Sequence, residues 1–369
     1  MIAIRRVWDS AADANPVLRV VLILLSKLYE ACMRIRAVLY LKGVFTSRKL
    51  PCLVISVGNI TSGGTGKTPM IMYLARYLTA RGLKVAVVSR GYRSRLETGG
   101  GIVSDGQNVL VGVDDSGDEP YLLAAALTGV PVIVGADRYR AGRQAVRAFS
   151  PDVILLDDAF QHLKLKRDLD LVLLDSRRPL GNGFSLPAGE LREPLRALGR
   201  GDAVIFTRCD TADGALQAKK SCTRLAEHFG GLVFNTRHVP VIRKIVPGCG
   251  KASAESSMAG RRVFAFSGVA KNDEFLYTLS GFKCELAGSL GFPDHHRYSD
   301  GDLARICRRA EKLDADFIVT TEKDYVKIKN AAGWPADLVV MGIDISFGDD
   351  KERFHAFLEK KGNLGSGQK

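Results

Sequence analysis

The chain has 369 residues, about two and a half times the usual length of one domain, so a single small domain is excluded and two packed units are expected. With 46% hydrophobic and 25% charged residues it has the material for real cores, which excludes wholesale disorder. The 53 Lys and Arg against 40 Asp and Glu leave a net charge of +13, which points to an anionic partner, and seven scattered cysteines without a C-x-x-C pair exclude a zinc ribbon and suit a reducing cytosol.

Residues 1–50 hold nine Lys or Arg against three Asp or Glu, a local surplus of six in a stretch rich in Val, Leu and Ile. From Pro16 to Arg36 nothing breaks the run PVLRVVLILLSKLYEACMRIR. At about 100° per residue, Arg19, Ser26, Lys27, Glu30 and Arg34 fall within one arc of about 100°, and the rest of the helix is apolar apart from Arg36. Arg19 and Lys27 enclose only seven residues, against the ~20 that cross a bilayer, so a membrane span is disfavoured. A secretory signal is weak for the same reason, with no small-residue cleavage site following. Two readings stay open: a helix lying in the interface of an anionic membrane, or an ordinary helix packed on the core.

From Leu53 the chain reads LVISVGNITSGGTGKTPMIMYLARYL, a β-branched run, a glycine turn and a helical apolar pattern. In that setting Gly63, Gly64, Thr65, Gly66, Lys67 and Thr68 form a phosphate loop. The glycines let backbone N–H groups curl round a triphosphate at a helix N-terminus, Lys67 reaches the β- and γ-phosphates, and the Thr68 hydroxyl takes a Mg²⁺ position. Thr61 stands where the strict pattern has its first glycine, so the loop is a G-G-x-G-K-T variant.

Further along, VAVVSRGY, VPVIVGADR, LDLVLLDSRR and DAVIFTRCD are apolar runs that stop at charged or small residues. At the carboxyl edge of a parallel sheet they would bring Arg90, Tyr92, Asp137, Arg138 and Arg178 toward the phosphates. In SGDEP, Asp118 has two possible roles: N-cap of the helix YLLAAAL, or general base toward an attacking hydroxyl. The run DVILLDD ends in Asp157 and Asp158, a carboxylate pair expected to hold Mg²⁺ directly or through water, with one of the two orienting a neighbour such as His162. An N-cap pair is the plainer alternative.

After about residue 236 the organisation restarts. VPVIRKIVPG reads as extended linker and KASAESSMAGRR as a polar connection. VFAFSGVA and DFIVTTEKD then read as strands with the helix RICRRAEKL between them, a second α/β unit. The expected boundaries are 1–46 for the N-terminal helix region, 47–236 for the phosphate-loop domain, 237–258 for a linker and 259–369 for the smaller domain. The fold class is therefore α/β: a P-loop NTPase-like parallel-sheet domain, a smaller α/β domain, and an N-terminal amphipathic helix. A nucleotide-driven switch protein is the main rival, but it would carry D-x-x-G and a base-reading [NT]-K-x-D, which TRCD at 207–210 only approximates.

In their order, GNITSGGTGKTP, SRGY, GDEP, VGADR, DDAFQH, LPAGELREPL, FSGVA, FPDHHRY and TTEKD resemble the tetraacyldisaccharide 4′-kinase family, the lipid A 4′-kinases of Gram-negative bacteria, from residue 58 to 324. The resemblance implies transfer of the γ-phosphate of ATP, with Mg²⁺, to the 4′-hydroxyl of a tetraacylated glucosamine disaccharide 1-phosphate, the lipid A disaccharide precursor, forming lipid IV-A. It implies a peripheral protein on the cytoplasmic face of the inner membrane, acting at an anionic membrane surface with neither nucleic acid nor an obligate protein partner. Carried over by position, Lys67 and Thr68 serve phosphate and Mg²⁺, with Asp157, Asp158 and Glu193 near the metal. Asp118 looks like the catalytic base, and Asp294 and His295 look like the group that completes the site from the second domain. Arg90, Tyr92, Arg138 and Arg192 resemble substrate- or phosphate-contacting positions.

Overall fold

The computed structural model describes residues 16–364 except 211, 250–256, 270, 330 and 332. The expected helix region upstream of residue 16, the heart of the 251–262 connection and the tail from 365 lie outside the described residues.

Five apolar runs become strands whose side chains are buried almost throughout, as expected of a parallel sheet covered on both faces. They are β1 (Leu53–Gly58), β2 (Val85–Ser89), β5 (Val153–Asp157), β6 (Leu169–Asp175) and β7 (Ala203–Thr207). With β3 (Gly101–Ser104), β4 (Val132–Val134) and β8 (Leu232–Asn235) they form an eight-stranded sheet of order β3-β4-β2-β5-β1-β6-β7-β8, parallel except for β3. The phosphate loop leaves the carboxyl end of β1, and the register pairs Val57 with Asp157 on β5.

Alternation along β1 sorts the layers. Ile55 and Val57 face α2 (Lys67–Ala80) and α3 (Asp118–Ala126), whereas Val54 faces α4 (Arg138–Phe149). On α2, Met70, Ile71, Leu74, Ala75 and Leu78 carry the spacing of a helix laid on a sheet. Helix α5 (Ala212–Ala226) covers β6 and β7 through Ala218 and Leu225.

The second sheet has order β11-β10-β12-β13-β9, built from β9 (Arg237–Val246), β10 (Arg262–Ser267), β11 (Glu285–Gly291), β12 (Phe317–Thr321) and β13 (Asp337–Ser346). Its helices are α6 (Asn272–Ser280), α7 (Asp300–Lys312) and α8 (Glu322–Ile328). Two expectations change here. Residues 237–246, expected to be linker, are a strand antiparallel to β13. Pro240 has no N–H to donate, but β9 is an edge strand, where a missing donor is tolerated. The final helix, α9 (Lys351–Gly362), was expected in the second domain. It returns instead to the first sheet, because Phe354, Phe357 and Leu358 form an apolar face that fits among Phe234, Phe347 and the helix layer of α2.

The N-terminal helix, α1 (Pro16–Leu41), presents polar side chains to the protein. The Ser26 hydroxyl donates to the Ser185 carbonyl at 2.8 Å, the Tyr29 hydroxyl to the Arg192 carbonyl at 2.7 Å, and Arg36 to the Gln161 carbonyl at 2.9 Å. Glu30 accepts from Ser185 at 3.0 Å and pairs with Lys27. Its apolar residues point away: Val17 is 70% exposed, Leu24 64% and Leu28 62%, with Val20, Val21 and Ile35 also exposed. This arrangement contradicts the plain core-packed reading, which needs the apolar side inward. Among the described residues no helix is long and apolar enough to cross a membrane.

Candidate phosphotransfer site

Helix α2 starts at Lys67 with Gly66 as its N-cap in left-handed conformation, φ 82°, and no side chain caps it. The first-turn N–H groups are left for a ligand, and the helix dipole favours an anion there. Gly66 is required twice over. Besides its positive φ, a Cβ at this position would stand 2.8 Å from Nε2 of His238. The loop is also tied from behind: Thr207 donates to the Thr65 carbonyl at 3.1 Å, and Arg208 to the Gly64 carbonyl at 3.0 Å.

The carboxylate pair divides its duties. Asp157 is buried, its Oδ2 accepts from Ser89 at 2.9 Å, and its Oδ1 is buried without a partner. Burial, reinforced by the Glu119 carboxylate, pushes the Asp157 carboxyl up against the pull of Lys67. Asp158 takes Arg192 through both oxygens at 2.8 and 3.0 Å and lies 3.9 Å from the Lys67 ammonium. Burial would raise it too, but Lys67 and Arg192 outweigh burial and hold it low. The partner of Asp158 is thus Arg192, itself braced by Asn59 at 3.0 Å, and not His162.

A cleft of about 650 Å³ opens between the two units. Its lining includes Lys67, Asp157, Asp158, Asp118, Arg192 and His295, with Arg90 and Tyr92 also on its wall. Asp118 is the first residue of α3, whose N-cap is Gly117, so it does not act as the cap. Its Oδ2 lies 2.9 Å from Nδ1 of His295 and 3.1 Å from Nζ of Lys327. Burial raises the Asp118 carboxyl, yet the His295 hydrogen bond and the Lys327 ammonium together bring it below its ordinary value. His295 has φ 62°, sparsely used by a non-glycine residue, a strained conformation of the kind found at working sites. Behind it, Asp294 lies 3.7 Å from His295 Nε2 and 3.3 Å from the Lys323 ammonium.

Some expected residues lie elsewhere. Arg138 is buried outside the cleft lining. It donates to the carbonyls of Gly135 and Ala136 at 3.0 and 3.2 Å, and burial lowers its guanidinium to about 10 despite Asp157 and Asp158 nearby. Glu193 is buried with its carboxylate on Arg200 and does not line the cleft, so the pairing with Arg200 replaces the expected place near the metal. Asp137 caps α4 by accepting from the N–H groups of Tyr139 and Arg140, and Arg178 faces Glu190 at 3.7 Å. At the cleft mouth Tyr92 is 57% exposed between the guanidinia of Arg90 and Arg93. Lys327 and Asn59 were not legible as site residues; a lysine on a mixed-charge helix reads as a solvated face. A separate groove of about 560 Å³ runs beside α4, and of the residues discussed only Asp137 lines it.

The donor set suits Mg-nucleotide. The buried, unpartnered Oδ1 of Asp157 lies at the end of the strand paired with β1, and Thr68 lies in the first turn of α2. Among the described residues no three His, Cys, Asp or Glu converge on a metal position. That fits an ion held by one or two protein oxygens together with phosphates and water.

A family model described as tetraacyldisaccharide-1-P 4′-kinase matches residues 18–363. The tetraacyldisaccharide 4′-kinase of Desulfatibacillum aliphaticivorans is 41% identical over 98% of this chain and 98% of its own length. That of Pelobacter propionicus is 46% identical over 82% and 81%. Among solved structures, the crystal structure of LpxK from Aquifex aeolicus in complex with ATP superposes with a TM-score of 0.72 and 32% identity, covering 93% of this chain and 99% of that one.

Proposed function

The chain belongs to the tetraacyldisaccharide-1-P 4′-kinase family and phosphorylates the lipid A precursor with ATP, and we propose the residues that divide this work and the surface on which it is done. The observation that carries the assignment of roles is that Asp118 and the phosphate-loop lysine, Lys67, line one cleft.

The N–H groups from Gly63 to Thr68 and the Lys67 ammonium hold the β- and γ-phosphates. Oδ1 of Asp157 and the Thr68 hydroxyl hold Mg²⁺, which when bound neutralises charge on the phosphate oxygens. Asp158 fixes Lys67 and Arg192 in place. Asp118 takes the proton of the acceptor 4′-hydroxyl as that oxygen bonds to the γ-phosphorus, the bond from phosphorus to the bridging β,γ-oxygen breaks, and ADP leaves. His295 donates from Nδ1 to Oδ2 of Asp118 and orients it, with Asp294 and Lys323 behind. Arg90 and Tyr92, at the mouth, meet the sugar or its phosphate. Closure of the two units round these groups excludes water that would otherwise take the phosphoryl group.

The exposed apolar side of α1 and the surplus of basic residues in the first fifty support seating on the anionic cytoplasmic face of the inner membrane, where a tetraacylated acceptor resides. The deciding assay gives purified protein labelled Mg-ATP with and without the disaccharide acceptor. Label is expected in the lipid only when the acceptor is present. Nucleotide hydrolysis without lipid label would refute the reading.

A further inference from the structure

Lys327 lies within α8, on the second unit's side of the cleft, with its side chain 6% exposed. Its ammonium stands 3.1 Å from Oδ2 of Asp118 and 3.6 Å from Oδ1 of Asp324, and neither approach has hydrogen-bond angles, so charge holds both contacts. Asp324 is fully buried and its other oxygen is committed, accepting from the Gly268 N–H at 3.0 Å and the Thr321 hydroxyl at 2.7 Å. The ammonium is therefore fixed from below by a carboxylate that cannot move. His295 meets the same Oδ2 of Asp118 from the loop before α7. Both partners from the second unit engage Oδ2, which leaves Oδ1 as the oxygen for the acceptor.

We propose that Lys327 is a positioning residue for the general base: with His295 it clamps Oδ2 of Asp118 and so presents Oδ1 to the 4′-hydroxyl. This rests on the reading of Asp118 as the base. The charged and titratable groups round the ammonium are Asp118 and Glu119 from α3, Asp294, His295, Arg297 and Tyr298 from the loop before α7, and Lys323 and Asp324 on its own helix. Of the basic groups, only Lys327 and His295 are in contact with Asp118 among the described residues. An opposite charge at such range lowers a carboxyl by about one to three units, so its loss must raise Asp118.

The test is the pH profile of lipid phosphorylation by the full chain with Mg-ATP, for wild type, Lys327→Met and Lys327→Arg. The methionine variant is expected to lose kcat while its KM for ATP stays within about twofold, and its acidic limb is expected to move up by about one to three pH units. The arginine variant keeps the charge and is expected to keep the wild-type limb. A purely structural role would lower activity equally at every pH, and an active methionine variant with an unmoved limb overturns the proposal. Should that variant not be recovered folded, Lys327→Gln is scored on the same limb. Wild-type protein that leaves the acceptor unphosphorylated would overturn the kinase reading and this inference with it, whereas an unmoved limb overturns this inference alone.

Discussion

Nδ1 of His295 lies 2.9 Å from Oδ2 of Asp118, although the two residues are 177 positions apart and belong to units built on different sheets. General bases contribute about 10²- to 10⁴-fold, so Asp118→Asn is expected to lower kcat by that order while leaving the KM for ATP nearly unchanged. Steady-state kinetics with the lipid acceptor check this. Near-normal turnover would remove Asp118 from the role.

The carboxylate pair makes a contrast that Mg²⁺ titration of activity can read. Asp157→Asn is expected to raise the Mg²⁺ needed for half-maximal rate by about ten- to a hundredfold, because it alters the oxygen that has no protein partner. Asp158→Asn should weaken ATP binding instead, by loosening Arg192 and Lys67. The opposite pattern would exchange the two roles.

Gly66→Ala sets a methyl group against His238 and forces a side chain into φ 82°. A left-handed L-residue costs about 1–2 kcal/mol before any clash, so lower thermal stability and loss of nucleotide affinity are expected together. His238→Ala in the same chain should recover the clash component only. Full recovery would mean that the backbone conformation carries no strain.

What the sequence disclosed depended on how local each signal was. The phosphate loop and Asp157 were legible because a strand, a turn and a helix follow one another within one stretch of chain. Asp118 was ambiguous between cap and base, since only Gly117 in the N-cap position and the approach of His295 from the second unit separate the two. Lys327 carried no signal because its partner lies on α3 of the other unit. Prolines at 240 and 247 made β9 look like a linker, and the fate of α9 could not be read because an apolar face does not say which sheet it will cover.

Asp175, at the end of β6, joins the units. It meets Arg208 at 2.9 Å, Arg177 at 3.2 Å and, across the interface, Lys271 at 3.3 Å. Burial opposes its charge, but Arg208, Arg177 and Lys271 prevail and hold it well below the usual carboxylate range. A carboxyl lowered in the folded state stabilises above its unfolded value of about 4, and that contribution fades as pH falls toward its folded value. Asp175→Asn is therefore expected to cost about 1–3 kcal/mol at pH 7, and the gap from wild type should narrow below about pH 4 in thermal melts. A gap independent of pH would refute the account.

Leu24→Glu with Leu28→Glu tests the outward side of α1. Both positions are exposed, so folding stability should change by no more than about 0.5 kcal/mol per site, while sedimentation with phosphatidylglycerol vesicles falls sharply. Unchanged co-sedimentation would rule out this helix as the contact.

Because α1 turns its polar side inward and its greasy side out, encounter between enzyme and acceptor becomes a search in two dimensions. The quantity that sets the rate is then the number of acceptor molecules per unit area of film. Doubling the volume of buffer would leave it untouched, whereas spreading the same acceptor among inert phospholipid would thin it out. Only the nucleotide would arrive by ordinary diffusion from solution.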